Sequence, residues 1–365
     1  MRLDGIDLLR GTAVSAVIIY HFFAILGLQG SPYFHFIHSF GLFGVSLFFV
    51  ISGYLIYRSI DFSLEKYGTK AGLKHYTYHR LFRILPAYYV NFAVVLLMAT
   101  FIIDSTYLYS ASFIKQFFSH LTFLSYFIYK DSGLGINGAY WTLSVEMLWY
   151  VVAPLLLLFV KKSRIYLMLA ILSFIYLTAL DFGLFDKLLH LDKNSPSYVL
   201  QLYYLSFQLP GQISYFIAGI LIYKHLQDKV RLSDSYKYIL AILVFVFFIY
   251  LSSTYPLHSS FFKNNLFILS IVSTLFLLLY NSKPKGMQWL EWVGKISYSL
   301  YLWHMPLLFI GKHTSIMTKL SMPTVIIIFT VALFAISSLS YYLVEEGGFQ
   351  LRRRLEEKIK RSLSS

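Results

Sequence analysis

Arg10 and His21 stand eleven positions apart inside the first apolar stretch of the chain, IDLLRGTAVSAVIIYHFFAIL. On an α-helix that spacing is about three turns, so the two side chains share one face about 16 Å apart along the axis. Ionisable groups within an apolar segment are costly to place, which makes them candidates for function. A guanidinium can hold a phosphate through two parallel N–H donors, and an imidazole titrating near neutrality can take a proton from a hydroxyl. The plain structural alternative is a snorkelling arginine and an unrelated packing histidine.

Arg80 and Arg83, in HRLFRILPAYY, are three positions apart and therefore point the same way at the start of another apolar run. Together with Arg10 they would give three guanidiniums at one membrane surface, suited to bidentate phosphate recognition. Ordinary positive flanking of a membrane helix explains the pair equally well. Glu146, in WTLSVEMLWYVVAPLL, is placed about 8 Å below the end of its helix. His21 and His304, the latter in GKISYSLYLWHMPLL, come out about 22 and 18 Å up from the opposite surface. Two histidines and a glutamate from three helices are thus predicted at comparable depth, where general acid–base chemistry is feasible. Ser297, Tyr301 and His304 also form a polar stripe on one helix. His21, His304 and Glu146 lack any His-x-x-x-His spacing, so no metal is expected.

The elements that must position these groups are membrane helices. Of 365 residues 58% are hydrophobic and 13% charged, with mean hydropathy +0.64, which describes a polytopic membrane protein and not a soluble domain. The expected fold is an all-α membrane bundle of about ten transmembrane helices, at 6–27, 38–57, 82–103, 141–160, 165–180, 203–223, 236–252, 264–280, 292–311 and 322–344. The first segment carries Asp4 and Asp7 ahead of a long apolar run, so it is expected to remain as helix one and not to be removed as a signal peptide. With no cysteine, thiolate catalysis and disulfides are excluded.

The formal charge of +14 could suggest nucleic acid, but its distribution argues for the bilayer. Alternating the loops across ten spans puts 24 of the 31 Lys and Arg on the side of the termini and seven on the other. The positive-inside rule then predicts cytoplasmic termini in the cell (inner or plasma) membrane, with no nucleic-acid partner. Residues 1–346 read as one membrane domain and 347–365 as a short basic cytoplasmic tail, most simply a solvated or headgroup-facing flank. The segment 58–79 reads as a basic cytoplasmic loop, and 104–140 as a long external one whose middle could be a short interfacial helix. External Tyr107, Tyr109, Tyr126, Tyr129 and Trp141 suit stacking on sugars as well as ordinary interfacial placement. Gly41, Gly44, Ser46, Ser52 and Gly53 on the second helix suit close packing or room for a slender ligand.

Five segments in order, DLLRGTAVSAVIIYH, GLFGVSLFFVISGYLIY, RLFRILPAYY, WTLSVEMLWYVVAPL and ISYSLYLWHMPL, closely resemble the integral-membrane acyltransferase family 3, and the resemblance covers essentially the whole chain. It implies an O-acetyltransferase that moves acetyl or another short acyl group from cytoplasmic acyl-CoA to a hydroxyl of an extracytoplasmic or lipid-linked sugar or glycan. It further implies that His21 is catalytic and that Arg10, Arg80 and Arg83 serve the acyl donor, acetyl-CoA being the common one. Glu146 is expected to orient or accept a proton, with His304 close by. The chain ends soon after Tyr342 and reads as a stand-alone membrane module. Its ending, YYLVEEGGFQ, keeps Glu345 but has Gly347 where the family commonly has a glutamate followed by Arg-Pro. Two other classes remain open on the residues alone: a transporter or flippase of a glycan-export system, and a non-catalytic partner in such a complex.

Overall fold

The computed structural model describes residues 4–25, 34–102, 111–125, 137–160, 162–227, 229–254, 259–282, 286–314 and 319–364. These are helical, with no strand among the described residues. The chain forms two interleaved compact units, Met1–Arg58 with Val145–Lys295 and Ser59–Ser144 with Ile296–Ser365. The first holds α1 (Asp4–Ile25), the opening of α2 (Phe34–Ile102), most of α4 (Tyr140–Phe159), α5 (Ser163–Asp181), α6 (Tyr198–Ser206), α7 (Leu209–Leu221) with a π-turn at Ile222–Leu226, α8 (Asp234–Thr254), α9 (Phe261–Leu279) and α10 (Gln288–Lys295). The second holds the remainder of α2, α3 (Ala111–Leu121), the first turn of α4, α11 (Ser297–His313), α12 (Met322–Ser340), a π-turn at Tyr341–Glu345 and α13 (Glu346–Ser364).

Eight helical segments among the described residues are long and apolar enough to cross a membrane. The polytopic helical bundle is therefore as expected, and the difference from ten has two sources. Ile37–Met98 is one segment of 62 residues, and an α-helix of that length would be about 93 Å long against a hydrocarbon core of about 30 Å. It does not run straight. At Gly68 the backbone leaves the helix at φ 72°, ψ 177°, and Ser63 Oγ lies 3.0 Å from His75 Nδ1, whereas twelve residues of straight helix would separate them by about 18 Å. The chain therefore doubles back as a helical hairpin, with Glu65, Lys66, Lys70 and Lys74 exposed around its tip. This turn lies in the sequence between the expected 38–57 and 82–103 spans. The segment expected to be a loop is helical because Leu64, Tyr67, Leu73 and Tyr76 cover the inner faces of a charged, helix-favouring sequence. The second source is the expected 292–311 span, which breaks at Ile296 into the short α10 and a 17-residue α11.

Only 22% of the apolar window is buried within the protein in each of α5, α8 and the segment Met322–Arg354. Side chains such as Ile242, Val246 and Phe247 of α8 project outward, and lipid is the medium that solvates such a face. Inside the first unit glycines bring helices into backbone contact. A Cβ on Gly44 would stand 2.4 Å from the Ala13 carbonyl oxygen, and one on Gly53 would stand 2.1 Å from that of Phe216. The small residues of α2 thus serve close packing at these two positions, where no room is left for a ligand.

Candidate active site

α1 carries the first pair of candidate groups. Ala13, Val14 and Val17 are buried on its packed face, and Gly11 and Gly294 let it lie directly against the segment containing α10, at Leu290 and Asp7. Both Arg10 and His21 are on this one uninterrupted helix, as the spacing requires. Arg10 Nη1 stands 3.6 Å from the Asp7 carboxylate, which aims the guanidinium from one turn away. His21 Nδ1 lies 3.0 Å from the Val17 carbonyl oxygen. A carbonyl can only accept, so Nδ1 bears a proton, and in the neutral ring the lone pair is then on Nε2. That is the tautomer a general base needs if Nε2 faces the reacting hydroxyl.

His21 borders an aromatic cluster. Tyr20 meets its ring edge-on at 4.8 Å and stacks on His38 at 5.6 Å, and the His38 ring lies 6.1 Å from Tyr203. His38 is absent from the sequence reasoning because it falls on the first residue of the expected second span, where periodicity gives it no face. Two histidines and two tyrosines are gathered here within the first unit.

Glu146 belongs to the same unit. Its Oε1 accepts from Ser52 Oγ at 2.8 Å and from Tyr150 OH at 3.0 Å. Tyr150 is one turn along α4, whereas Ser52 comes from α2, so the carboxylate joins two helices. Among the described residues its hydrogen-bond partners are these hydroxyls and no imidazole.

His304, Arg80 and Arg83 belong to the second unit. His304 is fully buried, at 0% exposed, and its Nδ1 lies 2.7 Å from the Tyr301 carbonyl oxygen, which places the proton on Nδ1 as in His21. Tyr301 OH donates to the Ala139 carbonyl at 3.0 Å and stands 2.7 Å from Thr142 Oγ1. Asn137 Nδ2 reaches the Leu302 carbonyl at 3.3 Å. The Ser297–Tyr301–His304 stripe is therefore a buried seam between α11 and the start of α4.

Arg80, 9% exposed, lies over the Tyr76 ring with its guanidinium carbon 5.8 Å from the centroid. Arg83 is half-buried and forms no ion pair or hydrogen bond with another described residue. Glu345, which entered the sequence analysis only as a family landmark, is 4% exposed in the π-turn after α12 and accepts from Ser299 Oγ at 2.5 Å. Among the described residues no three His, Asp or Glu side chains gather as a metal site requires. Trp141 is buried; Tyr107, Tyr109, Tyr126 and Tyr129 lie outside the described residues.

The sequence pattern of the acyltransferase domain matches residues 3–342, nearly the whole chain. The chain belongs to this acyltransferase family. Similar family members include the peptidoglycan O-acetyltransferase OatA of Listeria monocytogenes, 27% identical over 376 residues, 94% of this chain and 55% of that protein. The O-acetyltransferase OatA of Staphylococcus aureus is 30% identical over 334 residues, 84% of this chain and 50% of that protein. The chain spans about half the length of these curated relatives. No solved structure matches it. This member of the acyltransferase family is accordingly a multi-pass membrane protein.

Proposed function

We propose that the protein is a membrane O-acetyltransferase that carries an acetyl group from a cytoplasmic acyl-CoA to a hydroxyl of an extracytoplasmic or lipid-linked glycan. The observation that carries this reading is the Nδ1–H tautomer of His21, fixed by the Val17 carbonyl on the helix that also bears Arg10. His21 Nε2 takes the proton of the acceptor hydroxyl as its oxygen attacks the thioester carbonyl. The tetrahedral centre collapses, the C–S bond breaks, and the imidazolium returns its proton to the departing thiolate. That sequence is direct attack; in a transient acyl relay Nε2 instead attacks the thioester carbonyl and expels the thiolate, and the acceptor hydroxyl then displaces the imidazole, its proton ending on the thiolate. Arg10, Arg80 and Arg83 hold phosphates of the donor as bidentate donors, leaving the long pantetheine arm to bring the thioester along the Arg10–His21 face. Glu146, held by Ser52 and Tyr150, orients the reacting groups or accepts a proton, and His304 serves nearby as an acceptor-binding group.

Both termini are cytoplasmic in this reading, and residues 1–346 act as one catalytic membrane domain, with 347–365 following it. The O-acetyltransferase names of the relatives support acetyl as the group transferred and a glycan as its recipient. Purified protein in lipid vesicles, supplied with acetyl-CoA and soluble glycan fragments, should yield a glycan heavier by one acetyl group in the mass spectrum. Donor consumption with no acylated product in the presence of glycans, glycolipids and lipids alike would refute the reading.

A further inference from the structure

The tail helix α13 does not leave the fold at once. Glu345, Gly348 and Arg352 form one stripe at helical spacing, and all three touch other elements of the second unit, to which they belong. A Cβ on Gly348 would stand 3.1 Å from Pro86 Cγ and 3.3 Å from the Phe82 carbonyl oxygen, so the glycine lets α13 lie against the turn that carries Arg83. One turn further on, Arg352 Nη1 lies 2.7 Å from His79 Nδ1. A guanidinium can only donate, so this histidine nitrogen is the acceptor and the ring is neutral at that position. The His75 ring lies 4.7 Å from that of His79. Arg83 lies one helical turn from His79, between the Phe82 and Pro86 contacts of Gly348, so α13 brings Arg352 to the turn of α2 that carries the candidate arginines.

We propose that Arg352 of the tail helix is a further guanidinium of the phosphate-binding site built on Arg80 and Arg83, with His79 as its positioning residue. The ligand class is the polyphosphate portion of a nucleotide-bearing acyl donor. This rests on the donor-site reading of Arg80 and Arg83 given above, and it gives residues beyond the family-matched 3–342 a place in that site. An anionic lipid headgroup offers the same phosphate chemistry, so the test must separate the two sources.

The full-length protein is reconstituted in nanodiscs of neutral phosphatidylcholine, and the Kd for coenzyme A is measured calorimetrically. Arg352→Ala and Arg83→Ala should each weaken binding about tenfold or more, the worth of one charge-assisted hydrogen bond. Arg352→Lys, which keeps the charge and loses the fork, should fall between them and wild type. It also decides the matter if Arg352→Ala does not fold. Arg353→Ala, on the exposed side of the helix, should bind as wild type. His79→Gln retains an acceptor for Arg352 and should bind nearly as wild type, whereas His79→Leu should not. Unchanged affinity in both Arg352 variants with loss in Arg83→Ala overturns this proposal and leaves the donor site standing. Unchanged affinity in Arg83→Ala, Arg80→Ala and the Arg352 variants alike overturns both. If the Arg352 variants keep coenzyme A affinity but lose binding of phosphatidylglycerol added to the nanodiscs, the tail serves a lipid headgroup and the proposal fails.

Discussion

Ser52 donates a 2.8 Å hydrogen bond to Glu146 across 94 positions of sequence, tying α2 to α4 through a carboxylate. Tyr150 supplies a second donor to the same oxygen at 3.0 Å. Glu146→Gln keeps an acceptor for both hydroxyls and removes only the charge, so the fold should survive it. If the charge matters to the chemistry, acetyl transfer should fall by about tenfold or more at unchanged thermal stability. Glu146→Leu should lose stability as well, because Ser52 and Tyr150 are then left without their acceptor at a cost of about 1–3 kcal/mol. Equal activity of wild type and Glu146→Gln would reduce the carboxylate to a packing device.

His21→Ala should lower transfer by at least about a hundredfold, the low end of what a positioned general base contributes. Coenzyme A affinity should persist, since the residue is about 16 Å along the helix from Arg10. His21→Gln separates hydrogen bonding from basicity, because its amide can satisfy the Val17 carbonyl and cannot take up a proton. Steady-state rates and calorimetric donor binding on the same preparations check this. Wild-type turnover in either variant would exclude His21 as the base.

The proposed membrane sidedness rests on the 24 to seven division of Lys and Arg. Cysteines placed at Ser132, which lies outside the described residues, and at Ser362 should respond oppositely to an impermeant thiol reagent. In intact cells Ser132→Cys should label and Ser362→Cys should not. Labelling of the tail from outside would invert the topology and with it the assignment of the donor side.

Helix class was legible because composition leaves a chain this apolar few alternatives to membrane helices. Placement along one helix was legible as well, since Arg10 and His21 share the uninterrupted α1 that their spacing requires. Azimuth was not. Tyr150 could be paired with Glu146 from its i+4 spacing, but Ser52 could not, because nothing in a single sequence tells which face of α2 meets which face of α4. The same limit hid His38 beside Tyr20. Arg352 was hidden for another reason: in LRRRLEEKIKR a basic residue facing inward looks like any of its solvated neighbours, and the distinguishing signal is the Glu345–Gly348–Arg352 spacing, whose glycine marks the packed side. The hairpin around Gly68 looks like a loop in the sequence because the charges of 58–79 interrupt the apolar run, although helix-favouring residues continue on both sides of the glycine.

That hairpin gives the most direct test of the fold, because two glycines in α2 are required for opposite reasons. At Gly68 nothing lies within 4 Å of an added Cβ, so space is no constraint, and φ 72° with ψ 177° is the only obstacle. This region of the backbone map is essentially restricted to glycine, and a substituted residue should cost about 1–3 kcal/mol. Asparagine, which relieves strain at an ordinary left-handed glycine with ψ near 45°, should give no rescue here. Gly68→Ala and Gly68→Asn should therefore lower the unfolding midpoint in detergent by similar amounts. At Gly53 the backbone is an ordinary helix, and the obstacle is the Phe216 carbonyl oxygen 2.1 Å from the would-be Cβ. Gly53→Ala must push α2 and α7 apart, with an overpacking cost of about 1–3 kcal/mol. Because the displaced helix also carries Ser52, this variant should lose transfer activity along with stability, whereas activity per folded molecule should survive in Gly68→Ala. Full stability in Gly68→Ala, or rescue by asparagine, would mean that the chain does not double back in the conformation described.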